Sequence, residues 1–244
     1  MKVLKLDLFQ ETACYKKPFA MKITETYPLP PYSTVNGLIH KILNATEYIP
    51  FNISVQGTYE SIFNNYQTTY FYKKDSITSM PMNSHMLLNV NLIIHIGGDF
   101  DLLKKLYDNL LNCNEHLSLG RKEDLVRIND IRFVEVNKFE VNAMKVEVDD
   151  YENYKLSKYK IRRPIYIPKL SLKDERLNGI SYRLNNYYEN NSKKDKKRIW
   201  NKIDSYYIEK GNKIRCGYIL LDIEGDLLYF NKQKGDESIA IRKI

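Results

Sequence analysis

Tyr15, Lys16, Tyr32 and His40 have the side chains that metal-free RNA cleavage requires: a proton acceptor, a proton donor and a stabiliser of developing charge. Their spacing permits such a set without indicating it, because only the fold can gather them. A second candidate is Ser118-Leu119-Gly120-Arg121-Lys122-Glu123-Asp124-Leu125. Glycine lets the backbone pass close to a ligand, and adjacent Arg121 and Lys122 offer charge-assisted donors to phosphate. The segment reads either as a cradle for an RNA backbone or as an exposed turn between a helix and a strand. The third is Tyr27-Pro28-Leu29-Pro30-Pro31-Tyr32-Ser33-Thr34-Val35. Its prolines bar an earlier helix start, so Ser33 or Thr34 is expected to cap a helix whose first N–H groups face outward. Such a start can seat a phosphate, and it is also an ordinary way to begin a helix.

Other chemistries lack their residues. His40, His85, His95 and His116 form no i, i+3 or i, i+4 pair, and no HExxH occurs; Cys14, Cys113 and Cys216 contain no Cys-x-x-Cys. We therefore expect no metal, no cofactor and no disulfide framework, and a reducing cytoplasmic setting. No GxxxxGK[ST] loop is found, and Gly97-Gly98 reads as a strand-end turn. Lys2–Leu8 alternates like a strand with charge inside it, unlike a signal peptide. No apolar run approaches the ~20 residues that cross a bilayer, so no membrane partner is expected.

The chain has 244 residues, of which 43% are hydrophobic, enough for a true core. Its net charge of +8 is unevenly spread. Residues 155–215 hold 18 lysines and arginines against 6 acids, while the rest of the chain is net acidic. A basic block of this kind attracts a polyanion, although Lys193, Lys194, Lys196, Lys197 and Arg198 also suit a solvated helix face. Twenty tyrosines are available either to stack on bases or to half-fill strands.

Periodicity predicts the elements that position these residues. Lys2–Phe9 alternates as a strand. Val35, Leu38, Ile39, Ile42 and Leu43 form the buried stripe of a helix over 34–44. Strands follow at 53–59 and 88–96, then a helix capped by Asp99 with Phe100, Leu103, Leu106, Tyr107, Leu110 and Leu111 inward, then a strand at 131–136. The β-α-β-β-α-β order is the split βαβ arrangement of ferredoxin-like and RNA-recognition (RRM-like) domains. The link 61–87 is too long for a hairpin turn and too aromatic for disorder, so a projecting β-arm is expected. Beyond it, short strands are expected at 160–168, 216–221, 227–230 and 238–242, with a helix at 192–209 carrying Ile199, Trp200, Ile203 and Tyr207 inward. The expected class is α+β: a ferredoxin-like palm over 1–150 with an inserted β-hairpin thumb, and a smaller, basic, β-rich region over 151–244.

Three segments in order, Glu11–Ala20, Pro28–Leu38 and Leu117–Asp124, resemble the CRISPR-associated RAMP proteins called Cas family five, and the proline loop and Gly-Arg-Lys-Glu-Asp turn are similar to those of type I-B systems. The resemblance covers residues 1–136 and weakens beyond them. It implies a subunit of the Cascade surveillance complex, in antiviral defence, that holds the 5′ handle of the CRISPR RNA. Its implied partners are that handle, the backbone and large subunits of Cascade, and, indirectly, target DNA. On this likeness 61–87 is the thumb, with Lys73 and Lys74 near its tip. Tyr32, Ser33 and Thr34 face the handle, Gly120, Arg121 and Lys122 grip its backbone, and Lys16 and Lys17 contribute from the first motif.

Two further readings stay open. One branch of the family cleaves precursor RNA at a metal-free site, so an endoribonuclease is the alternative to a non-catalytic RNA-binding subunit. A scaffold that uses its basic segment on DNA or protein is the third.

Overall fold

The computed structural model of the chain describes residues 1–18, 23–142, 155–156, 158–172, 177–191 and 197–231. Strands β1 (Lys2–Ala13), β2 (Tyr15–Lys16), β3 (Ile23–Thr24) and β4 (Thr26–Tyr27) lead into helix α1 (Tyr32–Leu43). Then come β5 (Asn52–Thr58), β6 (Ser61–Tyr72), β7 (Ile77–Gly97), helix α2 (Phe100–Leu111) and β8 (Arg127–Asn142). The remainder supplies β9 (Lys155–Leu156), β10 (Tyr159–Lys160), β11 (Ile165–Pro168), β12 (Ile180–Asn191), β13 (Lys197–Ile208), β14 (Lys213–Ile214), β15 (Cys216–Asp222) and β16 (Leu227–Leu228).

One large sheet runs β12-β13-β11-β5-β7-β1-β8-β15-β16. Its centre, β5-β7-β1-β8, pairs antiparallel throughout, with Leu6 opposite Ile94 on one side and Ile131 on the other. Strands from the second half of the chain extend both ends of this sheet: β11 joins β5 at Ile165–Gln56, and β15 joins β8. The main core lies where α1 and α2 cover the sheet. Leu4, Leu6, Leu8, Val90, Leu92, Ile94 and Ile96 meet Val35, Leu38, Ile39, Leu103 and Leu106 there.

Both helices arise where the 3.6-residue apolar period predicts them. All five stripe residues of α1 are buried. The helix begins earlier than expected, however. Pro31 stands at its N-cap with no side-chain cap bond, because a fixed φ suits proline to a helix start and leaves Ser33 and Thr34 inside the first turn. At α2, the Asp99 carboxylate does accept from Asp101 N and Leu102 N. Phe100 and Leu111 face outward at its two ends, and Phe100 packs beside Phe133 with its ring under Lys2.

The expected helix at 192–209 is a strand where it is described. β13 pairs with β12 from Tyr207–Ile180 to Lys197–Asn191. Ile199, Trp200, Ile203 and Tyr207 fit a helical stripe, but Ile203, Ser205 and Tyr207 point inward at a period of two, and Ile199 is exposed. β-branched and aromatic residues facing a ready partner strand favour the sheet. The strand expected at 238–242 lies outside the described residues.

The arm is a long hairpin. β6 pairs with the first half of β7 from Ser61–Leu88 out to Tyr72–Ile77, while the second half of β7 pairs with β1 and β5. Where the arm leaves the central strands, Asn89 adopts φ +49°, a conformation its short side chain tolerates, and donates to Glu60. Tyr66, Tyr70, Tyr72 and Ile77 are all exposed on the arm.

Candidate functional site

Asp124 organises the Gly120 turn. Its carboxylate is buried and accepts from Cys14 N at 3.0 Å, Arg121 N at 2.9 Å and the Arg121 guanidinium at 2.8 Å from Nη2. Gln10 sits behind the turn, donating to the carbonyls of Leu119 and Asp124 and accepting from the Tyr15 hydroxyl at 2.6 Å. Gly120 has φ +115°, and a Cβ there would lie 2.8 Å from Asp124 Oδ2. Only glycine passes without strain.

The same guanidinium reaches the arm. Arg121 Nη1 donates to Gln67 on β6 at 3.1 Å. Burial opposes the charge on Arg121, but its bonds to Asp124 outweigh burial and raise its pKa. Arg121 is thus a strut between turn and arm, with 18% of its side chain exposed. Its neighbours Lys122 and Gly120 are exposed, as is Lys16 on the adjoining β2. Lys17 is partly covered: it bonds Glu25 at 3.0 Å and lies over the Tyr182 ring. The turn, β2 and the middle of the arm thus form one surface.

Lys73 and Lys74 stand apart from it. They are exposed at the tip, where Lys73 N closes the turn on Ser76 O. Lys73 lies six residue steps beyond Gln67, about 20 Å of extended chain. Ser33 and Thr34 are half-buried on α1, which is bound to the other end of the sheet through Asn36 Nδ2 and Asn186 O. Tyr32 is wholly buried with its ring against Tyr166, so no face is open to a base. Burial, opposed by the Ser205 hydroxyl, pushes its phenol well above the ordinary value.

Of the candidate cleavage set, Lys16 is exposed, while Tyr15, Tyr32 and His40 are committed to the fold. Burial, and next the charge of Asp124, hold the Tyr15 phenol far up. His40 Nδ1 lies 2.7 Å from Asn36 O, and Nε2 accepts from Ile49 N at 2.8 Å, which places the proton on Nδ1. Burial likewise pushes the Cys14 thiol up.

A separate charged cluster forms where the end of β15 and the β15–β16 link meet Lys5 of β1. Carboxylate oxygens of Asp222, Glu224 and Asp226 converge within 4.8 Å of one another, the type of group that holds a divalent ion. Here Lys5 Nζ sits among them at 2.7, 2.6 and 2.7 Å and supplies the positive charge itself. His95 Nε2 meets Asp222 at 3.1 Å; burial lowers the pKa of this histidine despite that carboxylate. Arg132 and Arg163 close the cluster from outside.

Sequence reasoning did not single out Gln10, Gln67 or Lys5, because each acts through partners far along the chain. It included Asp124 in the turn motif without seeing that it is buried, although an acid four residues after the turn glycine was a usable signal.

These features define a mostly-sheet α+β protein with two described α-helices, a projecting hairpin and a turn carrying Arg121 and Lys122 that is bonded to the middle of that hairpin. A family model described as CRISPR-associated protein (Cas_Cas5) matches residues 3–201, and the chain belongs to that family. Among solved structures, a chain of a CRISPR RNA-guided surveillance complex shares the fold, with TM-score 0.52, 12% identity, and coverage of 86% of this chain and 90% of that one. A CRISPR protein from Archaeoglobus fulgidus aligns with TM-score 0.47 and 11% identity over 93% of this chain and 98% of that one. No curated protein matches the sequence. No described helix is long and apolar enough to cross a membrane.

Proposed function

We propose that the chain is a non-catalytic subunit of a type I CRISPR surveillance complex, I-B-like in its motifs, that holds the 5′ handle of the guide RNA. The observation that carries this reading is the surface built by Asp124. It joins the Gly120 turn to the β1–β2 link and, through Arg121 and Gln67, to the arm, leaving Lys16 and Lys122 exposed beside one another's elements. A rigid backbone with free ammonium groups suits the phosphates of a single strand. The strand order β5-β7-β1-β8, with α1 and α2 on the sheet, supports reading the centre as a ferredoxin-like palm and β6–β7 as its thumb.

The arm supports assembly. A two-stranded hairpin bearing exposed Tyr66, Tyr70, Tyr72 and Ile77 gains most by burying them against another subunit. A backbone subunit of the complex is the proposed neighbour, with Lys73 and Lys74 at the contact or on the RNA passing it. The large subunit and target DNA are reached through the assembled complex.

The endoribonuclease reading is less favoured because Tyr15 and Tyr32 are buried and both nitrogens of His40 are engaged inside the fold. Incubating the protein with repeat RNA in chelator tests the choice. Binding without cleavage supports the handle-holding role, and site-specific cleavage overturns it.

A further inference from the structure

A cavity of 430 Å³ lies between α1 and the β12–β13 pair, away from the Gly120 turn. Five of its lining residues carry rings: His40, Tyr48, Tyr187, Tyr188 and Trp200. Tyr48 stacks on Tyr187 with ring centres 4.4 Å apart and on His40 at 5.6 Å. Tyr188 meets Trp200 edge-on at 5.3 Å, and the Arg198 guanidinium lies 4.5 Å over the Tyr188 ring. Tyr48 and Tyr188 nevertheless keep 42% and 40% of their surface exposed.

The placement follows from a bulge. The β12–β13 register shifts between Asn185 and Tyr187, so Asn186 has no partner in the ladder. Asn186 turns instead to α1 and to Asn231: its carbonyl accepts from Asn36 Nδ2 and its Oδ1 from Asn231 Nδ2 at 2.6 Å. Bulges re-aim side chains, and this one puts both Tyr187 and Tyr188 on the cavity wall.

Asn36 supplies the polar element. It lines the cavity at 4% exposure, and its Oδ1 has no hydrogen-bond partner. A buried, unsatisfied acceptor costs free energy unless a ligand donor meets it. Among the described residues the one charged side chain lining the cavity is Glu47, and the Arg198 guanidinium next to it is spent on the Tyr188 ring. Flat rings with an amide acceptor match a base edge carrying an N–H or amino group.

We propose that this cavity takes one unpaired nucleobase, packed against the exposed parts of Tyr48 and Tyr188 with its donor edge toward Asn36. The inference rests on the RNA-binding role proposed above and names a specific subsite for it. The bound strand continues from the basic turn, and one base is splayed into the α1–β12 cavity.

Trp200 is the chain's single tryptophan and stands on the cavity wall, so it reports directly. The probe is a single-stranded RNA octamer copied from the repeat of the protein's own locus, together with eight versions each abasic at one position. Affinity and Trp200 emission are measured for the native chain and for the Tyr48→Leu and Tyr187→Leu variants, with thermal melts to confirm folding. The expected result is quenching by the octamer, and loss of both quenching and about tenfold in affinity at one abasic position only. Either variant that melts like the native chain should show the same loss and no further effect of that abasic site. Octamer binding with unchanged emission and equal affinity for all abasic versions overturns the subsite while leaving the RNA-binding role standing. Absence of any octamer binding overturns both. Full RNA affinity in variants that fail to enter the complex also overturns it, in favour of a partner's side chain in the cavity.

Discussion

The guanidinium of Arg121 grips the carboxylate of Asp124 through Nη2 at 2.8 Å and Nε at 3.2 Å, while its remaining nitrogen holds Gln67 on the arm. One ion pair therefore sets both the shape of the basic turn and the angle at which the arm leaves it. Asp124→Asn keeps the size but removes the charge. It should cost about 2 kcal/mol in urea unfolding, with faster hydrogen exchange at the amides of Cys14 and Arg121. Unchanged exchange at both amides would refute this account of the turn.

Gly120 tests the same turn from the backbone. With φ at +115° and Asp124 Oδ2 only 2.8 Å from a would-be Cβ, Gly120→Ala should cost about 2 kcal/mol. Gly37 has no neighbour within 4 Å of a Cβ and sits in a helix, so Gly37→Ala should stabilise slightly in the same denaturation series.

Lys16 and Lys122 separate RNA contact from architecture. Both are exposed, whereas Arg121 is engaged in the fold. The double change Lys16→Ala/Lys122→Ala should leave the melting temperature within error and weaken handle RNA, with the loss greatest at low and moderate salt. The slope of log affinity against log salt should become shallower by about 1.4. Arg121→Ala should lower affinity and stability together, since it removes the strut. An unchanged salt slope in the double variant would remove these lysines from the interface.

Lys5 governs the response to pH. Burial opposes its charge, but the hydrogen bonds it donates to Asp222, Asp226 and Glu224 more than offset this and raise its pKa from 10.5. Burial alone would raise Asp222; His95 and Lys5 hold it well below the ordinary carboxylate range. Bonds from Arg132 and then Lys5 lower Glu224 to about 2. The depressed carboxylates contribute stability above their ordinary range near pH 4, and that contribution is lost as pH falls through the folded values. The raised lysine contributes below 10.5 and fades only as pH climbs through its higher folded value. Lys5→Met should thus cost about 4 kcal/mol at pH 7, where it strands Asp222 and Asp226, and much less at pH 3. Melts that shift equally at both values would contradict the linkage.

Both helices were legible in the chain because each buries a stripe whose 3.6-residue period is written locally, and α2 also announces its cap with Asp99. The long link 61–87 was legible as an arm because its tyrosines and alternating pattern suit strands but not a core. β13 was not legible: Ile199, Trp200, Ile203 and Tyr207 satisfy a helical stripe equally well, and the choice fell to pairing with β12. Tyr32 sits in an exposed-looking proline loop, yet Tyr166, 134 positions later, covers its ring.

By itself, then, the sequence determined element types where the apolar period fits one element only, as in α1 and α2, together with the turn motif and the family likeness. The tertiary structure alone decided what the site is made of. The bond from Cys14 to Asp124 spans 110 residues, that from Lys5 to Asp222 spans 217, and the cavity joins α1 to strands 150 residues away. Local periodicity reports which side of an element is buried, but only sheet register determines which distant charge or ring it meets.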